Sequence, residues 1–229
     1  MAIYALADLH LSFSQDKPMN IFGEKWQKHY EKIKANWQES VQENDTVLLC
    51  GDHSWGLKLE EAIPDLRFIG MLPGHKILIK GNHDLWWQSL KKMKEVMPRN
   101  ISILQNIHLE VENYYICGTR GWTCPNDDNF SSHDLKIYER ELLRLKNSLL
   151  SAKKAGNKDI IVMLHYPPFN NHQEPSGFVK LMEEFEVKIC VYGHLHSDAQ
   201  KYAFNGTWNH MDFKLVSCDY VNFKPVKLA

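Results

Sequence analysis

Six short apolar runs punctuate the chain: Ile3–Ala7, Thr46–Cys50, Lys76–Ile79, Tyr114–Cys117, Ile160–Leu164 and Val187–Tyr192. None alternates polar with apolar, which is the pattern of strands buried on both faces of a sheet that carries helices. Longer amphipathic stretches lie between them. Glu24–Val41 places Trp26, Tyr30, Ile33 and Trp37 at spacings of four, three and four, which predicts a helix, and Leu85–Met97 reads the same way. Asp134–Ala155 repeats Leu135, Tyr138, Leu142, Leu145 and Leu149 with Lys, Arg and Glu opposite them, the pattern of a core-facing helix, and Gly156 is placed to end it. From Tyr202 onward the alternation of Tyr202, Phe204, Trp208, His210, Asp212 and Lys214 predicts a hairpin. The order β-α-β-α-β, a β-rich middle, then α-β-α-β-β predicts an α/β sandwich with a mixed sheet or two sheets. No repeat or linker divides it, so residues 1–229 read as one domain.

Composition narrows the class. With 44% hydrophobic and 24% charged residues, disorder, a collagenous fibre and a disulfide scaffold are excluded. Lys+Arg 27 against Asp+Glu 28 leaves a formal charge of -1, which argues against a protein that coats nucleic acid or an anionic membrane. The five cysteines, with no Cys-x-x-Cys, read as small buried hydrophobes in a reducing compartment. No apolar run approaches the ~20 residues of a membrane helix. The start, MAIYALADLH, lacks a basic region and meets Asp8 too early for a signal peptide. The expectation is a soluble, cytoplasmic protein.

Chemistry enters at the strand ends. Asp8 and His10 follow the first run, and Asp52 follows the second after Gly51. Asn82, His83 and Asp84 follow the third after Gly81, His165 follows the fifth, and His194 and His196 follow the sixth after Gly193. Each is a metal-type ligand at the carboxyl end of a strand, where α/β sheets bind their ligands. A turn residue explains any one of them; five sets together call for a common site. Asp, His and Asn in this number, with no cysteine, exceed one tetrahedral site. They suit two divalent ions sharing a carboxylate, with Mn, Fe, Zn, Co or Ni preferred over Mg or Ca and Mn favoured. Such an ion pair, ~3.5–4 Å apart, is the usual arrangement for displacement at phosphorus.

Asp8-x-His10, Gly51-Asp52, Gly81-Asn82-His83-Asp84, His165 and Gly193-His194-x-His196 resemble the five signature blocks of the calcineurin-like metallophosphoesterases. The resemblance implies a four-layer α/β/β/α sandwich of two mixed β-sheets flanked by helices. It implies one metal site of Asp8, His10, Asp52 and His196, and a second of Asp52, Asn82, His165 and His194, with Asp52 bridging. It further implies attack on phosphorus by a metal-bridging hydroxide, with His83 as the catalytic proton donor to the leaving oxygen. One position departs from the pattern. Many members carry an acid three residues after the aspartate of the second block, and in the protein phosphatase branch that acid orients the catalytic histidine. Here Gly51-Asp52-His53-Ser54-Trp55 puts Trp55 there.

Other residues near the motifs are candidates for substrate contact. His53 adjoins Asp52, and His172 lies in the loop after His165. Arg120, in Gly118-Thr119-Arg120-Gly121-Trp122, could clamp a phosphate. Trp55, Trp86, Trp87 and Trp122 could stack on a base or pack the core. Lys91, Lys92 and Lys94 read as a solvated face, and residues 123–133 as a flexible loop that could form a lid. The resulting expectation is a dinuclear-metal phosphoesterase acting on a phosphomonoester or phosphodiester, with a small or nucleotide-like diester preferred. The rivals are a nuclease, disfavoured by the absent basic stripe, and a non-catalytic scaffold, disfavoured by the full ligand set.

Overall fold

The computed structural model describes all 229 residues. Its first half supplies four strands of a five-stranded sheet. Strand β1 (Ile3–Leu6) runs parallel to β2 (Thr46–Leu49), β2 to β3 (His75–Leu78) and β3 to β4 (Ile101–Ile103). The connections carry helices α1 (His29–Ser40), α2 (Leu59–Met71) and α3 (Leu90–Val96). The second sheet begins with a hairpin of β5 (Leu109–Val111) and β6 (Tyr114–Thr119). It continues in parallel through β7 (Asp159–Leu164) and β8 (Ile189–Tyr192), with α4 (Ser132–Ala155) and α5 (Gly177–Glu184) in the crossovers. The expected terminal hairpin is β9 (Gly206–Trp208) and β10 (Met211–Leu215), and β10 pairs in parallel with β8. The chain ends by sending β11 (Val226–Lys227) back antiparallel to β1. Both sheets are therefore mixed.

The non-alternating runs are explained by three apolar layers. Val47 and Leu49 of β2 face the helices, packing with Ile33, Trp37, Leu66 and Ile69. Leu48, between them in sequence, faces the other sheet and packs with Ile116, Ile161, Met163 and Val191. On the far side, Cys117, Val162, Leu164 and Cys190 meet Leu145, Leu149, Phe178 and Met182 of α4 and α5. Every central strand has an apolar layer on each face, which accounts for the lack of alternation; the buried Lys76 of β3 is accommodated because its Nζ donates to the Leu72 and Gly74 carbonyls. The result is the four-layer α/β/β/α sandwich, with two mixed sheets flanked by helices. All five cysteines are free and buried within these layers.

Local chemistry shortens two of the expected helices and moves the start of the stripe in a third. The helix expected over Glu24–Val41 begins only at His29, because Lys28 adopts a left-handed φ of 51°; residues Glu24–Trp26 form a separate 3₁₀ turn. The helix expected over Leu85–Met97 shortens to α3, because Leu85 N–H and Trp87 N–H bond back to the carbonyls of His83 and Asp84 in a turn. In α4 the stripe begins at Tyr138, since Leu135 is exposed. Its N-terminus is a capping box, with Asp134 N–H donating to Ser131 Oγ (3.2 Å) and Ser131 N–H to Asp134 Oδ2 (2.9 Å). Gly156 ends it as expected.

Candidate metal centre

The loops after β1 and β2 run side by side. Asp8 N–H donates to the Gly51 carbonyl (3.0 Å), His10 N–H to that of Asp52 (3.0 Å) and Leu11 N–H to that of His53 (3.1 Å). This pairing carries Asp8 and His10 against Asp52 and holds all three side chains under cover. Asp8, His10, Asp52 and His194 all have left-handed backbones, with φ of 61°, 44°, 55° and 74°. Non-glycine residues avoid that region unless the surroundings impose it, and such strain concentrates at functional sites.

The glycines explain how the loops come so close. At Gly51, with φ of 91°, a Cβ would come within 2.7 Å of His165 Nδ1. At Gly81 a Cβ would overlap the amide and carboxylate of Asp52. Side chains at these positions would displace the ligands themselves.

The side chains converge. Asp8, His10 and His196 form one group whose ligand atoms lie within 4.8 Å of one another, and Asp8, Asp52 and His165 form another. His196 Nε2 is 3.4 Å from His10 Nε2 and 3.7 Å from Asp8 Oδ1. Asp52 Oδ2 reaches both groups, lying 3.9 Å from His10 Nε2 and 3.4 Å from His165 Nε2. Asn82 Oδ1 adjoins His165 Nε2 (2.6 Å) and His194 Nδ1 (3.0 Å). The seven residues expected to be ligands thus lie in one connected cluster, five of them in the two compact groups and Asn82 and His194 joined to these through His165 Nε2 and Asn82 Oδ1. The shared carboxylate of the two compact groups is Asp8, whereas the resemblance implies Asp52; Asp52 nonetheless stands between histidines of both.

The residues fit divalent ions. His165 Nδ1 donates to the Cys50 carbonyl (2.9 Å) and His196 Nδ1 to Asp219 Oδ1 (2.7 Å), which turns both Nε2 atoms into the cluster. Asp8 Oδ1, buried at the centre, has no hydrogen-bond partner. Two imidazole nitrogens 3.4 Å apart require a cation between them or a proton on one. Burial alone would lower the His165 and His196 imidazoles. Asp52 and Asp8 outweigh it for His165, raising it to about 9. Asp8 and Asp219 do the same for His196, raising it to about 10. Burial lowers His10 to about 4, and burial together with His165 lowers His194 to about 3. Asp8 is held at about 2, burial being outweighed by His196, and Asp52 is held below the ordinary carboxylate range by His165 in the same way. The buried carboxylates thus call for positive charge beside them, which protons on His165 and His196 or divalent ions can supply.

His83 stands apart from this buried set. It is exposed at the rim, its backbone N–H bound to Asp52 Oδ1 (2.8 Å). No carboxylate hydrogen-bonds its ring. The Trp55 ring lies against it instead, at 4.6 Å between centroids, and stacks on His10 at 4.9 Å. The residue in the usual acidic position thus supports His83 by an aromatic face.

Three candidate contacts are placed elsewhere. His53 is fully buried, with Nε2 bound to the Ile79 carbonyl (2.9 Å), so it faces no substrate. The Arg120 side chain turns to Glu141 (3.4 Å) and lies over Trp122 (4.5 Å), while its carbonyl accepts the N–H groups of His165 and Tyr166. Trp122 bonds Asp134 (3.0 Å) and packs on Tyr166. His172 is exposed beside Asp128, and Trp86 is core. The expected lid, residues 123–133, is pinned by Asp127, which accepts from the N–H groups of Cys124 (2.9 Å) and Asn171 (2.8 Å).

Two carboxylates escaped the sequence reading. Asp219 lies beyond β10 with no motif around it, and accepts from His196, Ser197 N–H (3.2 Å) and Gln200 Nε2 (2.8 Å). Asp84 was visible as part of its motif but carried no role. Fully buried, it accepts from the N–H groups of Gly81, Asp52, His53 and Ser54 and from Trp86 Nε1.

Comparison with known proteins bears on the family and the fold. Residues 1–198 match the family model described as calcineurin-like phosphoesterase. Gene 66 protein of Mycobacterium phage L5 is 22% identical over 191 residues, covering 83% of this chain and 75% of that protein. Two crystal structures share the fold at a TM-score of 0.53. The protein of unknown function AQ665 from Aquifex aeolicus is 16% identical, with 99% of this chain and 95% of that one covered. TT1561 of Thermus thermophilus is 12% identical, with 99% and 97% covered.

Proposed function

The chain belongs to the calcineurin-like phosphoesterases, and on that premise we propose that it is a dinuclear-metal phosphoesterase of the cytoplasm that cleaves a small phosphate ester, with a nucleotide-like phosphodiester preferred. The observation that carries the reading is the convergence of Asp8, His10, Asp52, His165 and His196 around an unpartnered, buried Asp8 Oδ1. Asp8, His10, Asp52 and His196 would hold one ion, and Asp52, Asn82, His165 and His194 the other, Mn being the favoured metal. When bound, such ions polarise a phosphoryl oxygen and acidify water enough for attack on phosphorus near neutral pH.

The remaining work falls to the chain. Asp219 and the Cys50 carbonyl orient the histidine rings. His83, exposed and backed by Trp55, hands a ring proton to the leaving oxygen. An apolar recess of about 150 Å³ opens beside it, lined by Met19, Phe22, Trp26 and Trp55 together with His10, His83 and His196. Flat apolar walls beside the reacting atoms favour an aryl or nucleobase group on the ester.

The test is hydrolysis of p-nitrophenyl phosphate and bis-p-nitrophenyl phosphate with added Mn. Turnover of the diester, with His83→Ala slowed most on esters of high-pKa alcohols, is the expected result. Equal activity of His83→Ala on such esters would remove the proton-donor role, and no turnover of either ester by folded, metal-loaded protein would remove the reading.

A further inference from the structure

A second recess, of about 270 Å³, opens behind β3 and β6, and none of its lining residues is shared with the recess against Trp55. Four cations reach it. Lys80 follows β3, Arg120 follows β6, and Arg140 and Arg144 lie one turn apart on α4. Only one acid in its wall answers them. Glu141 is fully buried and accepts from Thr119 Oγ1 (2.5 Å), Arg144 (2.8 Å) and Arg120 (3.4 Å), with Arg140 Nε at 3.9 Å.

One carboxylate against four cations leaves a local surplus of positive charge in a chain whose formal charge is -1. Glu141 already receives three hydrogen bonds, yet donors remain. No carboxylate lies within ion-pair distance of Lys80, and Arg140, 3.9 Å from Glu141, makes no hydrogen bond to it. Guanidinium forks held close together at a partly desolvated wall match a phosphate group in charge and in shape.

We propose that this recess is an anion site, separate from the metal centre, that binds a phosphate group as free phosphate or as the phosphate of a nucleotide. It stands on its own charges and does not require the phosphoesterase reading. It does adjoin the catalytic loops. Lys80 immediately precedes Gly81-Asn82-His83, and the Arg120 carbonyl holds the N–H groups of His165 (3.0 Å) and Tyr166 (2.9 Å). An anion gripped by Lys80 and Arg120 therefore bears on segments that position Asn82, His83 and His165.

The test is calorimetric titration of inorganic phosphate into chelator-treated full-length protein, which separates this site from phosphate on bound metal. One saturable site is expected. Arg140→Gln/Arg144→Gln should weaken it by roughly tenfold or more, and His83→Ala should leave it unchanged. Arg144 is the nearest charged partner of the buried Glu141, so a thermal melt accompanies the double variant; Arg140→Gln alone, whose side chain is 55% exposed and 3.9 Å from Glu141, is the second variant, expected to keep the fold. A parallel titration with AMP distinguishes the sources, tighter binding than phosphate marking a nucleotide and equal binding free phosphate. Absence of saturable binding, or binding kept at wild-type strength in both arginine variants, would overturn the proposal.

Discussion

Asp219 touches no ligand position except through His196, yet it fixes which nitrogen of that ring faces the cluster. Its replacement by Asn should weaken metal binding by roughly 10–100-fold while leaving the fold intact, measured by competition with a metal-sensitive dye. Asp84 acts chiefly on backbone N–H groups, with Trp86 Nε1 as its one side-chain donor. Asp84→Asn would set an amide against N–H groups that now share a carboxylate, and the expected loss is at least about 2 kcal/mol in denaturant unfolding. The histidines give a pH signature. His165 and His196, at about 9 and about 10, lie above the ordinary imidazole value of 6.5. The stability from their pairing with Asp52, Asp8 and Asp219 is complete below pH 6.5 and is lost as pH rises through 9 and 10. Metal-free protein should therefore melt at progressively lower temperature as pH is raised across that range. Because both rings carry protons at neutral pH, loading the centre with Mn should release about two protons per chain, read in a weakly buffered titration.

At the scale of elements, the site depends on strand ends meeting more closely than side chains allow. Gly81→Ala should push the Asp52 loop away, since its Cβ would overlap Asp52 itself. The expected result is loss of metal binding larger than the loss of stability, seen by comparing metal content with the denaturation midpoint. The capping box of α4 is separable from this: Ser131→Ala should cost about 1 kcal/mol and leave metal content unchanged. Much of this level could be read from sequence. Leu48 between Val47 and Leu49 announces a strand with two apolar neighbours, and ligand-type residues directly after such strands announce a shared site. What escaped lies where tertiary contact outweighs local pattern. The left-handed Lys28 interrupts a continuous apolar stripe, and the Asp84 turn consumes the first residues of a good helical pattern. Asp219 reaches His196 from 23 residues away with no sequence mark of its task.

For the whole molecule, three apolar layers hold the sheets and helices without help from the cluster. Metal removal should therefore soften the protein without unfolding it. Binding at 100 times the dissociation constant adds about 2.7 kcal/mol per ion, so chelation should lower the melting temperature by roughly 5–10 °C per site. The orientation of Arg120 also belongs to this scale. Its place after β6 suggests the metal-centre cleft, but Glu141 of α4 turns its side chain into the second basic recess.

The central claim is that the buried Asp and His cluster holds two ions that serve phosphoester cleavage. The most direct measurement is metal content by elemental analysis of purified wild-type protein and Asp52→Asn, paired with Mn-supported turnover of bis-p-nitrophenyl phosphate by each. Two divalent ions per wild-type chain, with Asp52→Asn losing both metal and turnover, is the predicted result. A folded wild-type chain that binds no divalent metal, or an Asp52→Asn variant that hydrolyses the diester as fast as wild type, would contradict it.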